Sequence, residues 1–135
     1  MNRTDLERYI FDAYHCEPDR PWMTSPDNEV FRHYRNRKWF ALVMEIPRRF
    51  LGLDSDEPVD VVNVKCDPFL IESLWDEPGF FPAYHMNKRH WITIALDGSA
   101  PDDKIRTLLD MSYEATAPKD YATTRRRDDT DRSGV

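Results

Sequence analysis

From Glu29 onward the apolar residues fall two apart. Phe40, Leu42, Met44 and Ile46 alternate with other side chains in KWFALVMEI, and residues two apart share a face in extended backbone, so the segment reads as a strand with one apolar side. EVFRHY precedes it across Arg35-Asn36-Arg37, a polar interruption that reads as a hairpin turn. After the connection PRRFLGLDSDEP, the β-branched run Val59 to Lys65 supplies a third strand.

The segments around these strands have helical spacing. Thr4-Asp5-Leu6-Glu7 matches a capping box, in which the hydroxyl accepts from an amide one turn ahead and the glutamate returns the bond. Leu6, Tyr9, Ile10, Ala13 and Tyr14 then form one stripe that Pro18 and Pro21 end. Asp67-Pro68 offers an N-cap followed by proline at the first helical position, opening FLIESLWDE, which Pro78-Gly79 stops. Ser99-Ala100-Pro101-Asp102 repeats the cap-then-acid spacing before Ile105, Leu108, Leu109 and Ser112, a stripe running to about Thr116.

Between the last two helices lies AYHMNKRHW, Ala83 to Trp91. With Asn87-Lys88 as a two-residue turn, Ala83 faces Ile92 and Phe81 faces Ile94, giving a second hairpin. Alternation then places Phe81, Ala83, His85, His90, Ile92, Ile94 and Leu96 on a core-facing side, and Tyr84, Met86, Arg89, Trp91 and Thr93 on the other.

The order helix, hairpin, strand, helix, hairpin, helix predicts an α+β fold. An antiparallel sheet is built from two hairpins and a further strand, with N-terminal, middle and C-terminal helices packed on one face. Residues 1–116 form the domain; residues 117–135 lack apolar periodicity and mix both charges, so a disordered polar tail is expected there. No Gly-rich turn joins a strand to a helix, which argues against a Rossmann or P-loop nucleotide site. At 135 residues the chain can bury a core without disulfides. Cys16 and Cys66 lack C-x-x-C spacing and read as reduced thiols. Neither a signal-length apolar run nor a membrane span is apparent, so a cytoplasmic protein, a monomer by default, is expected.

NVKCDPFLIESL, PAYHMNKRHWITI, LDGSAPDDKI and LLDMSYE occur in this order, and together they resemble the MmcQ/YjbR family of small bacterial proteins. The resemblance covers about residues 4 to 116, with a longer PRRFLGLDSDEP connection and the arginine-bearing tail as departures. It implies a frataxin-like or secretion-chaperone-like fold in a double-wing arrangement, with DNA binding as the function, and no established catalytic residue or required cofactor.

His85 and His90 as cross-strand neighbours, with Cys66 at a strand end, raise metal binding and nucleophilic catalysis. A second ligand pair and a third orienting residue are missing from the spacing, however, so neither a metal nor a catalytic set is assigned. The charge pattern supports a nucleic-acid grip. Arg32, His33, Arg35, Arg37 and Lys38 crowd one hairpin tip, Lys88, Arg89 and His90 the other, and Tyr84, Trp39 and Trp91 are candidates for stacking. The plainer account is that hairpin tips carry charge for solubility and to block edge pairing, and the net charge of −6 restricts attraction for phosphates to local patches. The competing reading is a protein partner docked on the outer face around Tyr84, Met86 and Trp91.

Overall fold

The computed structural model describes residues 1–119. Helix α1 (Arg3–Tyr14) precedes strands β1 (Glu29–Arg32) and β2 (Trp39–Pro47). A 3-10 turn (Arg48–Leu51) leads to β3 (Pro58–Lys65), α2 (Pro68–Leu74), β4 (Phe80–Pro82), β5 (Trp91–Ala95) and α3 (Asp102–Thr116). Every strand pair is antiparallel, in the order β1-β2-β3-β5-β4, so two hairpins flank the single strand β3. The α+β architecture expected from the order of elements is the one observed. The tail expected over 117–135 lies, from residue 120, outside the described residues.

Local chemistry sets the helix ends. The capping box of α1 uses Asn2 and Asp5 in place of Thr4 and Glu7: Asn2 Oδ1 accepts from the Asp5 amide at 2.9 Å, and the Asp5 carboxylate accepts from the Asn2 amide at 3.1 Å. At α2 the expected cap is present, Asp67 Oδ1 accepting from the Phe69 amide at 2.8 Å ahead of Pro68. Ser99 does not cap α3; its hydroxyl donates to Asp97. Gly79, which follows α2, has φ +89, and a Cβ there would lie 2.7 Å from the Ala100 amide nitrogen, so glycine alone fits the crossing.

Each face of the sheet buries an apolar cluster. Leu6 and Ile10 of α1, Ile71 and Leu74 of α2, and Ile105, Leu108 and Leu109 of α3 close over Ala41, Val43, Val62, Val64, Ile92 and Ile94. The opposite face carries Val30, Leu42, Met44, Ile46, Val59, Val61 and Ala95; Trp22, Leu51, Phe81, Tyr84 and Met86 from connections and strand ends cover it. Outer-side residues expected to face solvent or a partner are therefore partly committed to packing.

Two register features depart from simple alternation. Phe31 opposes Ala41 and Arg32 opposes Trp39, so Phe40 is the extra residue of a β-bulge and turns to the helix side, away from Leu42, Met44 and Ile46. In the second hairpin Phe80 opposes Ile94 and Phe81 opposes Thr93, one residue from the expected pairing, and the connection is the whole segment 83–90, longer than a two-residue turn. A slip of one exchanges faces: Phe80 enters the helix-side core and Phe81 packs on the other face. At the sheet border, Asp19 and Val30 exchange two backbone hydrogen bonds of 2.9 Å. Among the described residues no helix is long and apolar enough to cross a membrane.

Candidate nucleic-acid interface

Antiparallel pairing determines where the two tips emerge. Ala41 at the start of β2 opposes Val64 near the end of β3, and Lys65 opposes Trp91 at the start of β5. Segments 33–38 and 83–90 thus leave the same end of the sheet from strands two spacings apart, about 10 Å. The N-terminus of α2 follows β3 at that same end.

An asparagine shapes each tip. Asn36 Oδ1 accepts from the Lys38 amide at 3.0 Å, and Asn87 Oδ1 accepts from the Arg89 amide at 2.8 Å. Both are Asx turns on the same pattern, asparagine followed by two basic residues. Sequence reasoning missed this role of Asn36 and Asn87, although the repeated tripeptide was its signal.

Each tip is also tied to the body. Asn36 Nδ2 donates to the Thr116 carbonyl at 2.9 Å. Buried His33 places Nε2 at 2.9 Å from both the Tyr113 carbonyl and Thr116 Oγ1. Because Thr116 Oγ1 donates to the Ser112 carbonyl, the imidazole Nε2–H is the donor in this cluster. Burial lowers the His33 pKa. The second tip rests on a buried network: Asn63 Nδ2 donates to the Tyr84 carbonyl at 2.9 Å, the Tyr84 amide donates to Thr93 Oγ1 at 2.9 Å, and Thr93 Oγ1 donates to Asn63 Oδ1.

The cations differ in their commitments. Arg32 Nε lies 2.7 Å from Asp19 Oδ2, and Arg37 Nη2 lies 3.8 Å from the same oxygen. Arg48 pairs with Asp97 and Arg49 with Asp56, each at 2.9 Å. Lys38, Lys88 and Arg89 are exposed and form no side-chain ion pair among the described residues. Arg35 is exposed on the first tip beside them.

The aromatic residues are distributed differently from the expectation. Trp39, Tyr84 and Trp91 are half-buried; Trp39 meets Trp22 edge-on, and Tyr84 stacks on Phe50 with centroids 5.4 Å apart. Among the described residues, the strongly exposed phenyl and phenol rings at this end are Tyr34, 90% exposed, and Phe69, 95% exposed. Sequence reasoning passed over both, Phe69 because FLIESL reads as one apolar helix, whereas only Ile71 and Leu74 of α2 turn inward.

His85 and His90 do not face the core, as had been expected; both are exposed, and His85 takes φ 58 with its ring edge-on to Tyr84. The longer connection and the register slip are the cause. Cys66 is buried, and burial pushes its thiol pKa up, opposite to the shift of an activated nucleophile. Among the described residues no group of three or more His, Cys, Asp or Glu side chains is gathered to hold a metal.

A family model for YjbR matches residues 3–115. The chain is 34% identical to YyaQ of Bacillus subtilis, over 86% of this chain and 98% of that protein. It is 38% identical to YjbR of Escherichia coli K12, over 56% of each. A crystal structure of a Pseudomonas syringae protein superposes with a TM-score of 0.85 at 44% identity, covering 87% of this chain and 100% of that one. A Deinococcus radiodurans protein shares the fold at 24% identity and TM-score 0.67, covering 94% of this chain and 86% of that one. Matched along nearly all its described length, this chain belongs to the YjbR family.

Proposed function

We propose that the chain binds nucleic acid without catalysis, gripping phosphates from two tips at one end of its sheet. Lys38, Lys88 and Arg89 make the principal contacts, and Arg35 and Arg37 stand beside them. The observation that carries this reading is the convergence of these three cations, without ion pairs among the described residues, on neighbouring Asx turns. Phosphate neutralisation supplies most non-specific affinity, and cations already held by carboxylates contribute less to it. The overall charge of −6 favours binding through this end and disfavours contact elsewhere.

Salt titration of binding to duplex DNA, single-stranded DNA and RNA tests the reading. Three phosphate contacts give log affinity a slope of about −2.7 against log salt on duplex DNA, approaching about −4.5 when Arg35 and Arg37 also engage. Absence of binding at low salt, or unchanged binding after Lys38→Ala, Lys88→Ala and Arg89→Ala are combined, defeats it. A protein-docking face around Tyr84, Met86 and Trp91 has less support, because Tyr84 and Met86 pack on the second apolar cluster.

A further inference from the structure

We propose that the groove between α2 and the 83–90 connection takes an unpaired nucleobase, so that this end of the molecule prefers single-stranded nucleic acid to duplex. The inference rests on the phosphate-grip reading and adds what occupies the space beside the phosphates. The groove measures about 460 Å³; Pro68, Phe69, Ile71 and Trp75 supply its apolar wall, and Lys88 and Arg89 line its basic side.

Two features match the chemistry of a nucleotide. Phe69 holds its ring almost wholly in water at the end of the fold where Lys38, Lys88 and Arg89, without ion pairs among the described residues, converge. A base stacked on it would cover apolar surface that the fold leaves uncovered, and such stacking tolerates any sequence. Lys88 and Arg89 are placed for the phosphates that flank the base.

Glu72 also lines the groove. Its carboxylate repels a phosphate from that wall but does not repel a neutral base, so the base lies inside and the phosphates outside, on the basic tip. In a duplex the bases are stacked away from any such ring, and extruding one costs energy. The groove therefore discriminates by strand pairing, not by sequence.

The test is fluorescence anisotropy on the full chain at low salt, with oligo(dT), the oligo(dT)·oligo(dA) duplex and thymidine monophosphate as probes. Wild type is expected to prefer oligo(dT). Phe69→Ala, a truncation at an exposed position that leaves the core intact, is expected to weaken oligo(dT) binding roughly tenfold while leaving duplex binding within about twofold. Equal effects of Phe69→Ala on strand and duplex, or none, overturn the base site; the phosphate grip survives that result if Lys88→Glu with Arg89→Glu still weakens both. Failure of wild type to bind either polymer overturns both readings. Thymidine monophosphate bound as tightly as oligo(dT) replaces the strand with a free nucleotide. A wild-type dimer in sedimentation that Phe69→Ala converts to monomer overturns the proposal in favour of a second copy of the chain.

Discussion

Asp19 and Arg32 hold each other beside the first hairpin, Oδ2 to Nε at 2.7 Å, and the same carboxylate oxygen lies 3.8 Å from Arg37 Nη2. One aspartate therefore holds a strand arginine and a tip arginine, and in the proposed grip it would compete with phosphate for both.

Replacing that carboxylate should strengthen binding. Asp19→Asn keeps the backbone bridge to Val30 and removes the competing charge. The slope of log affinity against log salt should steepen by about 0.9 for each guanidinium released. A slope identical to wild type would show that neither arginine reaches the nucleic acid.

In the proposed grip the Asx turn of the second tip would act by holding the chain, not by its charge. Asn87→Ala loses the acceptor for the Arg89 amide while leaving Lys88 and Arg89 in place. Binding should weaken by about 1 kcal/mol, roughly fivefold, because the loop must then be ordered on binding. Isothermal titration would register this as a larger entropic penalty, with thermal stability nearly unchanged.

His33 links stability to acidity. Its folded pKa lies below the ordinary 6.5 because burial disfavours the imidazolium. The unfolded chain then takes up a proton that the folded chain resists. The stabilisation is complete above 6.5 and is lost progressively as pH falls from there toward the folded value. Glu29 titrates with the opposite sign, its carboxyl pKa raised by burial. The informative quantity is thus the difference between wild type and His33→Gln in urea midpoints between about pH 7.5 and 5.5. Wild type should lose more stability on acidification.

The buried network beneath the second tip can be tested by a nearly isosteric change. Thr93→Val strands both the Tyr84 amide and Asn63 Oδ1. The expected cost is about 2 kcal/mol, since leaving a buried polar group unpaired costs roughly 1–3 kcal/mol. Faster hydrogen exchange of the Tyr84 amide would locate the loss at the tip.

Periodicity made the order of elements legible, because the stripe of Leu6 and Ile10 and the β-branched run of Val59 to Lys65 each fit one kind of backbone. Position along an element was less legible. Phe80 and Phe81 are adjacent and equally apolar, so either can face the core; what separates the two registers is the Asn63–Thr93–Tyr84 network, a contact between distant positions. Phe40 escapes the alternation of β2 for a similar reason: its bulge brings it against Tyr14, His33 and Tyr113, from three other segments. The basic tips were visible as composition. Which cations have carboxylate partners was not, because Asp19 reaches Arg32 only through a bridge outside the named strands.

That bridge has a consequence for the protein at high concentration. Asp19 occupies the outward hydrogen-bonding groups of Val30, and at the opposite border β4 is three residues long and ends in Pro82, which has no amide hydrogen to offer. Among the described residues, an incoming chain would find no long run of open backbone at either margin to copy, an arrangement that disfavours the sheet as a template for fibre growth.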